Sequence, residues 1–186
     1  VFKVDLLDLD GQKLYFDEPM ADEVAQLLTQ AAAAYGSGKE ELLLLKASFI
    51  APDNLSVLVA LYRSYYYQHQ LEAAQQVARR ALSLVGTRIG FPDDWRRLNE
   101  AELAHAVYHS MGLVRFYMLA LKAEAWLYLR LGDLPAGRER LQKVAELDSA
   151  DHFGARALLE MLASSDEERR RDAAPTVRVQ SKSQAR

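Results

Sequence analysis

A chain of 186 residues is long enough for one domain with a sizeable core, and 50% hydrophobic against 26% charged residues is an ordinary globular balance. It contains no cysteine, which excludes a disulfide scaffold, a thiol nucleophile, a Cys-ligated zinc and a protein-ligated iron–sulfur cluster. A net charge of −3 argues against a general nucleic-acid binder, and no apolar run approaches the roughly 18 residues needed to span a bilayer.

Residues 2–16 read as a small hairpin. Phe2 to Leu6 alternates, Asp10-Gly11 is a tight-turn dipeptide, and Lys13-Leu14-Tyr15-Phe16 supplies the return strand. No basic-then-apolar secretory signal opens the chain, so the expected location is cytoplasmic. Helical signals begin after Asp17-Glu18-Pro19, and residues 20–35 place Val24, Leu27, Leu28 and Ala31 on one face. Gly36-Ser37-Gly38 breaks this helix, and 39–50 resumes with Leu42 to Leu45 and Ala47. Pro52-Asp53-Asn54 is the next break, with Asn54 a good N-cap. Helices are expected over 55–68 and 71–85, separated by a tight turn at His69-Gln70.

Gly86 to Pro92 is irregular, and Asp93 or Asp94 caps a segment starting near Trp95. Helix then runs to Leu131, with a break expected near Gly112. Gly132-Asp133 turns the chain, 134–147 is helical, and a last helix covers about 152–163. Beyond Ser164 a charged run and a polar end show no apolar periodicity, and six Lys/Arg stand against four Asp/Glu from Ser165 to Arg186. That end is expected to be disordered. The domain reading is therefore a hairpin over 1–17, a helical domain over 18–164 with an insertion at about 86–117, and a disordered charged tail over 165–186.

Internal periodicity decides the architecture. One unit reads Leu58, Leu61, Tyr65, then Leu71, Ala74, Ala78, Ala81. A shift of 34 residues back gives Val24, Leu27, Ala31, then Ser37, Glu40, Leu44, Ala47. A shift of 63 forward gives Leu121, Glu124, Tyr128, Leu134, Gly137, Leu141, Val144. The strings Tyr65-Tyr66-Tyr67-Gln68-His69-Gln70-Leu71 and Tyr128-Leu129-Arg130-Leu131-Gly132-Asp133-Leu134 each join an aromatic residue, a tight turn and a second helix. The pattern resembles the tetratricopeptide repeat. The resemblance covers about residues 20–163 and departs from the family where small or apolar residues belong, at Leu28, Glu40, Tyr62 and Glu124. It implies an all-α fold of stacked antiparallel helix pairs, to which the residues themselves add the N-terminal β-hairpin.

The same resemblance implies a concave surface lined by the first helix of each pair. Its inward positions would be Ser56, Val59, Arg63, Tyr66 and Tyr67, then Leu119, Lys122, Trp126, Leu129 and Arg130. Arg63, Tyr66, Tyr67, Lys122, Trp126 and Arg130 are the candidate partner-binding residues, because Tyr, Trp and Arg carry most interface energy. Such a groove suits an acidic segment or one ending in a carboxylate. The plainer reading is that the tyrosines pack between repeats and the cations are solvated.

Glu102, His105 and His109 share one helical face, but the second carboxylate–histidine motif of a di-metal bundle is missing. No metal or cofactor is expected, and His69 and His152 read as exposed or capping. Gly36-Ser37-Gly38-Lys39 lacks the spacing of a phosphate loop, and no nucleophile motif occurs, so the expected role is non-enzymatic.

A narrower resemblance rests on Ile50-Ala51-Pro52-Asp53-Asn54-Leu55-Ser56-Val57-Leu58-Val59-Ala60-Leu61-Tyr62-Arg63 and on Gly137-Arg138-Glu139-Arg140-Leu141-Gln142-Lys143-Val144 with Glu146-Leu147-Asp148. These stretches are similar to small repeat proteins encoded beside bacterial nitrogen-fixation genes. That implies an accessory factor whose protein partner is a nitrogenase component, met during assembly or maintenance, with no nucleic acid or membrane involved. Two other roles fit the same residues: a general adaptor or chaperone for an acidic or C-terminal peptide, and a self-associating structural module. The oligomeric state is left open.

Overall fold

A computed structural model describes residues 18–173 of the chain. Seven α-helices and one 3-10 turn make up the described part: α1 (Asp22–Ala33), α2 (Glu40–Ile50), α3 (Leu55–Tyr67), α4 (Leu71–Arg88), the turn Trp95–Arg97, α5 (Glu100–Arg130), α6 (Leu134–Leu147) and α7 (Ala155–Ala173). No strand occurs among the described residues, so the fold class is corrected from helices with a β-hairpin to all-helical. The segment 1–17, on which the hairpin expectation rested, lies outside them.

Local chemistry sets the helix boundaries. Between α1 and α2 the chain turns through Gly36 at φ +79° and Gly38 at φ +77°, a left-handed conformation that glycine adopts without a Cβ clash. The Asn54 side chain accepts from the Val57 amide at 3.2 Å and opens α3. A capping box opens α5, with Asn99 accepting from the Glu102 amide at 3.0 Å and the Glu102 carboxylate accepting from the Asn99 amide at 3.1 Å. Asp133 accepts from the Ala136 amide at 3.0 Å to open α6. The expected breaks at 36–38, 52–54, 69–70 and 132–133 all separate helices.

The segment 86–117, expected as an insertion, is shared between its neighbours. It prolongs α4 to Arg88, crosses the turn at Trp95–Arg97 capped by Asp94, and adds length to the front of α5. The break expected near Gly112 falls at Ser110, where φ −156° and ψ 80° leave the helical region. A serine two residues from a glycine is a usual place for such a kink. At the other end, the charged run beyond Ser164, expected to be disordered, continues α7 to Ala173. Residues 174–186 lie outside the described part.

Each helix packs mainly on the one before and the one after it in the chain. Successive helices run antiparallel, as the cross-contacts show: Glu40 at the start of α2 meets Gln68 just past α3, Arg79 of α4 meets Tyr128 of α5, and Arg138 of α6 meets Asp166 of α7. Small residues sit where the rods approach closely. Ala74, Ala78 and Ala81 of α4 are buried, as are Ala120, Ala123 and Ala125 of α5. Two apolar cores result. One joins α3 to α7 around Leu58, Tyr62, Leu121, Leu127 and Leu141; a smaller one joins α1, α2 and α3 around Val24, Leu44, Ala47 and Leu61. Among the described residues no helix is long and apolar enough to cross a membrane.

Candidate functional site

The six candidate partner-binding residues lie on α3 and α5, and Tyr66, Tyr67 and Trp126 meet. The Trp126 indole N–H donates to the Tyr66 hydroxyl at 3.1 Å across the two helices. Tyr66 stacks on Tyr62 with ring centroids 5.8 Å apart and planes 14° from parallel. Its other neighbour is Tyr67, edge-on at 5.6 Å, and Tyr67 in turn meets Tyr35, just past α1, at 6.4 Å. Aromatic rings thus run without interruption from the end of α1 across α3 to α5.

Within that run the exposures differ. Tyr62 is sealed inside, Tyr66, Tyr67 and Trp126 are half-buried, and Tyr35 is 60% exposed. The face is therefore neither a closed core nor a solvated surface: rings anchored on one side show part of their area to solvent. Arg63 and Arg130 are exposed and Lys122 is half-buried on the same helices. Of the further inward positions, Val59 is buried, and Leu129 is packed against Gly137 of α6.

A groove of about 330 Å³ opens beside this run, between α1, α2 and α3. Leu28, Ala31, Leu44 and Ala60 form its apolar wall, with Tyr35, Arg63 and Ser64 around it. Glu40 lies in it at 3% exposure. One Glu40 oxygen accepts from the Gln68 amide nitrogen at 3.2 Å, and Gln68 also donates to the Ser64 hydroxyl at 3.0 Å.

A second charged cluster lies in the α4–α5–α6 layer. Glu124, 1% exposed, has Arg140 Nε 3.1 Å from one oxygen and Arg79 Nε 3.4 Å from the other. Arg140 lies over the Tyr128 ring at 4.0 Å and also faces Trp95 at 5.1 Å. Arg79 donates to the Tyr128 hydroxyl at 2.6 Å, and Arg140 to the Ala136 carbonyl at 3.0 Å. Burial, together with the negative charge of Glu124, pushes the neighbouring Tyr117 phenol well above its ordinary range. The cluster ties three helices together, with Arg79 and Arg140 sharing the single Glu124 carboxylate. Above it, Arg96 lies over Trp95 at 4.4 Å and grips Glu139 of α6 through two bonds of 2.6 and 2.8 Å. That grip holds the Glu139 carboxyl below the usual range.

Arg79, Arg80, Arg96 and Arg97 form two sequence-adjacent arginine pairs. Three of the four are engaged: Arg79 with Glu124, Arg80 with Asp53 at 3.0 Å, and Arg96 with Glu139. The signal that could have found the buried cluster was present in the repeat alignment, since Glu124 and Glu40 both stood where small or apolar residues belong. Glu102, by contrast, spends its carboxylate on the α5 capping box, while His105 and His109 are exposed with rings 4.8 Å apart. Among the described residues no group of three His, Cys, Asp or Glu could hold a metal ion.

These features define a class: an all-helical protein of successive antiparallel hairpins with a half-exposed aromatic face beside an acid-floored groove. The chain is 49% identical over 160 residues to an uncharacterized 19.8 kDa protein in the nifW 5' region of Azotobacter chroococcum mcd 1, covering 86% of this chain and 89% of that one. It belongs to the family of that protein. It is also 32% identical over 122 residues to the heme oxygenase PigA of Pseudomonas aeruginosa, covering 65% of this chain and 61% of that one. No family model matches the chain, and no solved structure matches it.

Proposed function

We propose that this protein is a non-enzymatic accessory factor that binds another protein, a nitrogenase component, during its assembly or maintenance. Two observations support the reading. The family relative is encoded in the nifW 5' region, among nitrogen-fixation genes. The aromatic run carries the binding role: Tyr66, Tyr67 and Trp126 are ordered by one another while part of each ring stays exposed. Rings held in place beforehand lose little freedom on contact, and rigid aromatics with nearby arginines make the strongest interface anchors. The stacking of helix pairs, of the tetratricopeptide type in this reading, is what spreads those anchors over two rods.

The partial likeness to a heme oxygenase does not extend to a haem site. Haem iron is commonly held by a histidine or a cysteine thiolate. The chain has no cysteine, and its four histidines, His69, His105, His109 and His152, are all exposed. None of them lines the groove between α1, α2 and α3 or the space beside the Glu124 cluster.

The test is affinity capture of the tagged full chain from nitrogen-fixing cells. A nitrogenase component should be recovered with the unaltered protein. Trp126→Ala and Arg130→Glu should reduce that recovery about tenfold or more, while helical circular dichroism stays the same. Recovery of no nitrogenase component would sink the reading, and normal recovery with both variants would remove the aromatic face from it.

A further inference from the structure

The groove between α1, α2 and α3 contains a carboxylate with one oxygen unspent. Glu40 is 3% exposed; Gln68 donates to Oε1, while Oε2 has no hydrogen-bond partner. An ionised carboxylate only accepts, so an atom that completes this one must bring a proton. A buried oxygen without a donor is among the costliest arrangements a fold can keep, which makes it a place where a ligand gains most by arriving.

The walls narrow the choice of donor. Leu28, Ala31, Leu44 and Ala60 offer a hydrocarbon surface, and Tyr35 stands 60% exposed at the same groove. An apolar stem ending in a cation fits both halves, since lysine and arginine lay their methylenes on apolar surface and carry charge at the tip. The tip would make a charge-assisted hydrogen bond, shorter and stronger than a neutral one.

We propose that this groove takes a lysine or arginine side chain from a partner polypeptide, its stem along Leu28, Ala31, Leu44 and Ala60 and its cation on Glu40 Oε2. The inference rests on the protein-binding role proposed above and deepens it by stating the partner's chemistry. That chemistry is basic at Glu40 itself, while Arg63 at the edge of the same groove faces whatever acidic group the partner carries beside its cation.

The minimal probe is n-hexylammonium ion, with hexanol and hexanoate as controls, titrated into the full chain while the methyl resonances of Leu28 and Leu44 are followed. Hexylammonium should shift both resonances saturably, hexanol and hexanoate should not, and Glu40→Gln should weaken binding about tenfold or more. Should Glu40→Gln fail to fold, Ala32→Trp at the exposed rim of the groove serves instead, and it should block the shifts. No saturable shift, equal binding of hexanol or hexanoate, or undiminished binding by these variants overturns the proposal. Partner capture without hexylammonium binding sinks this inference alone; hexylammonium binding without any captured nitrogenase component sinks the functional reading alone.

Discussion

At the scale of single residues, three charged side chains carry most of the testable physics. Glu124 and Arg140 form a buried pair, with side chains 2% and 9% exposed. Removing Arg140 leaves buried Glu124 with only the longer contact to Arg79, whereas replacing both with apolar residues releases only Arg79, whose side chain is 58% exposed to water. Arg140→Met should therefore cost roughly 3–5 kcal/mol, and the double variant Glu124→Leu with Arg140→Met should recover most of that loss; chemical denaturation reads both. Asp148 gives a pH dependence. Burial would raise its pKa, but the Phe153 amide at 2.8 Å and the His152 ring at 3.1 Å overcome burial and hold it below the ordinary value of 3.8. A carboxyl that is more acidic folded than unfolded stabilises the protein above the ordinary value and loses that contribution as pH falls through the folded one. Asp148→Asn should flatten the acid limb of the stability–pH curve from about pH 5 downward, leaving stability near neutrality lower but its slope there unchanged. An unchanged acid limb would refute it.

At the scale of elements, contact between rods depends on the absence of side chains as much as on their presence. Gly137 lies at the α5–α6 crossing, where an added Cβ would sit 2.6 Å from Leu129 and 2.9 Å from the Ala125 carbonyl oxygen. That oxygen belongs to the backbone and cannot step aside. Gly137→Ala should thus lower stability by about 1–3 kcal/mol despite the better helix propensity of alanine, as thermal unfolding would show. The rods themselves were largely legible in the sequence, because turn glycines, Asn54, Asn99 and Asp133 mark helix ends by local chemistry that needs no tertiary information. The end of α7 was not legible: a run of charges without apolar period reads as disorder, although it includes Asp166, which Arg138 of α6 holds at 2.6 Å. The site was half legible. Periodicity placed Tyr66 and Trp126 on matching helices, but periodicity says nothing of a contact across 60 residues such as their hydrogen bond. It also marked Glu40 and Glu124 as misfits, without indicating that one is matched by arginines and the other is left with a spare oxygen.

At the scale of the whole molecule, helices that contact mainly their chain neighbours make stability a sum of local terms. Among the described helices the pair α1–α2 has its own small core and leans mainly on α3, so it should open before the rest. Val24→Ala, at a fully buried position, should speed amide hydrogen exchange in α1 and α2 while protection in α5 and α6 stays as it was. A uniform rise across all helices would mean that the molecule opens as one unit. The kink in α5 has a mechanical consequence of its own. A continuous helix transmits thrust along its axis through an unbroken ladder of amide bonds, and Ser110 interrupts that ladder about a third of the way along. The rod is thus two levers on a joint. Lys122, Trp126 and Arg130 all ride on the longer one, which packs between α4 and α6.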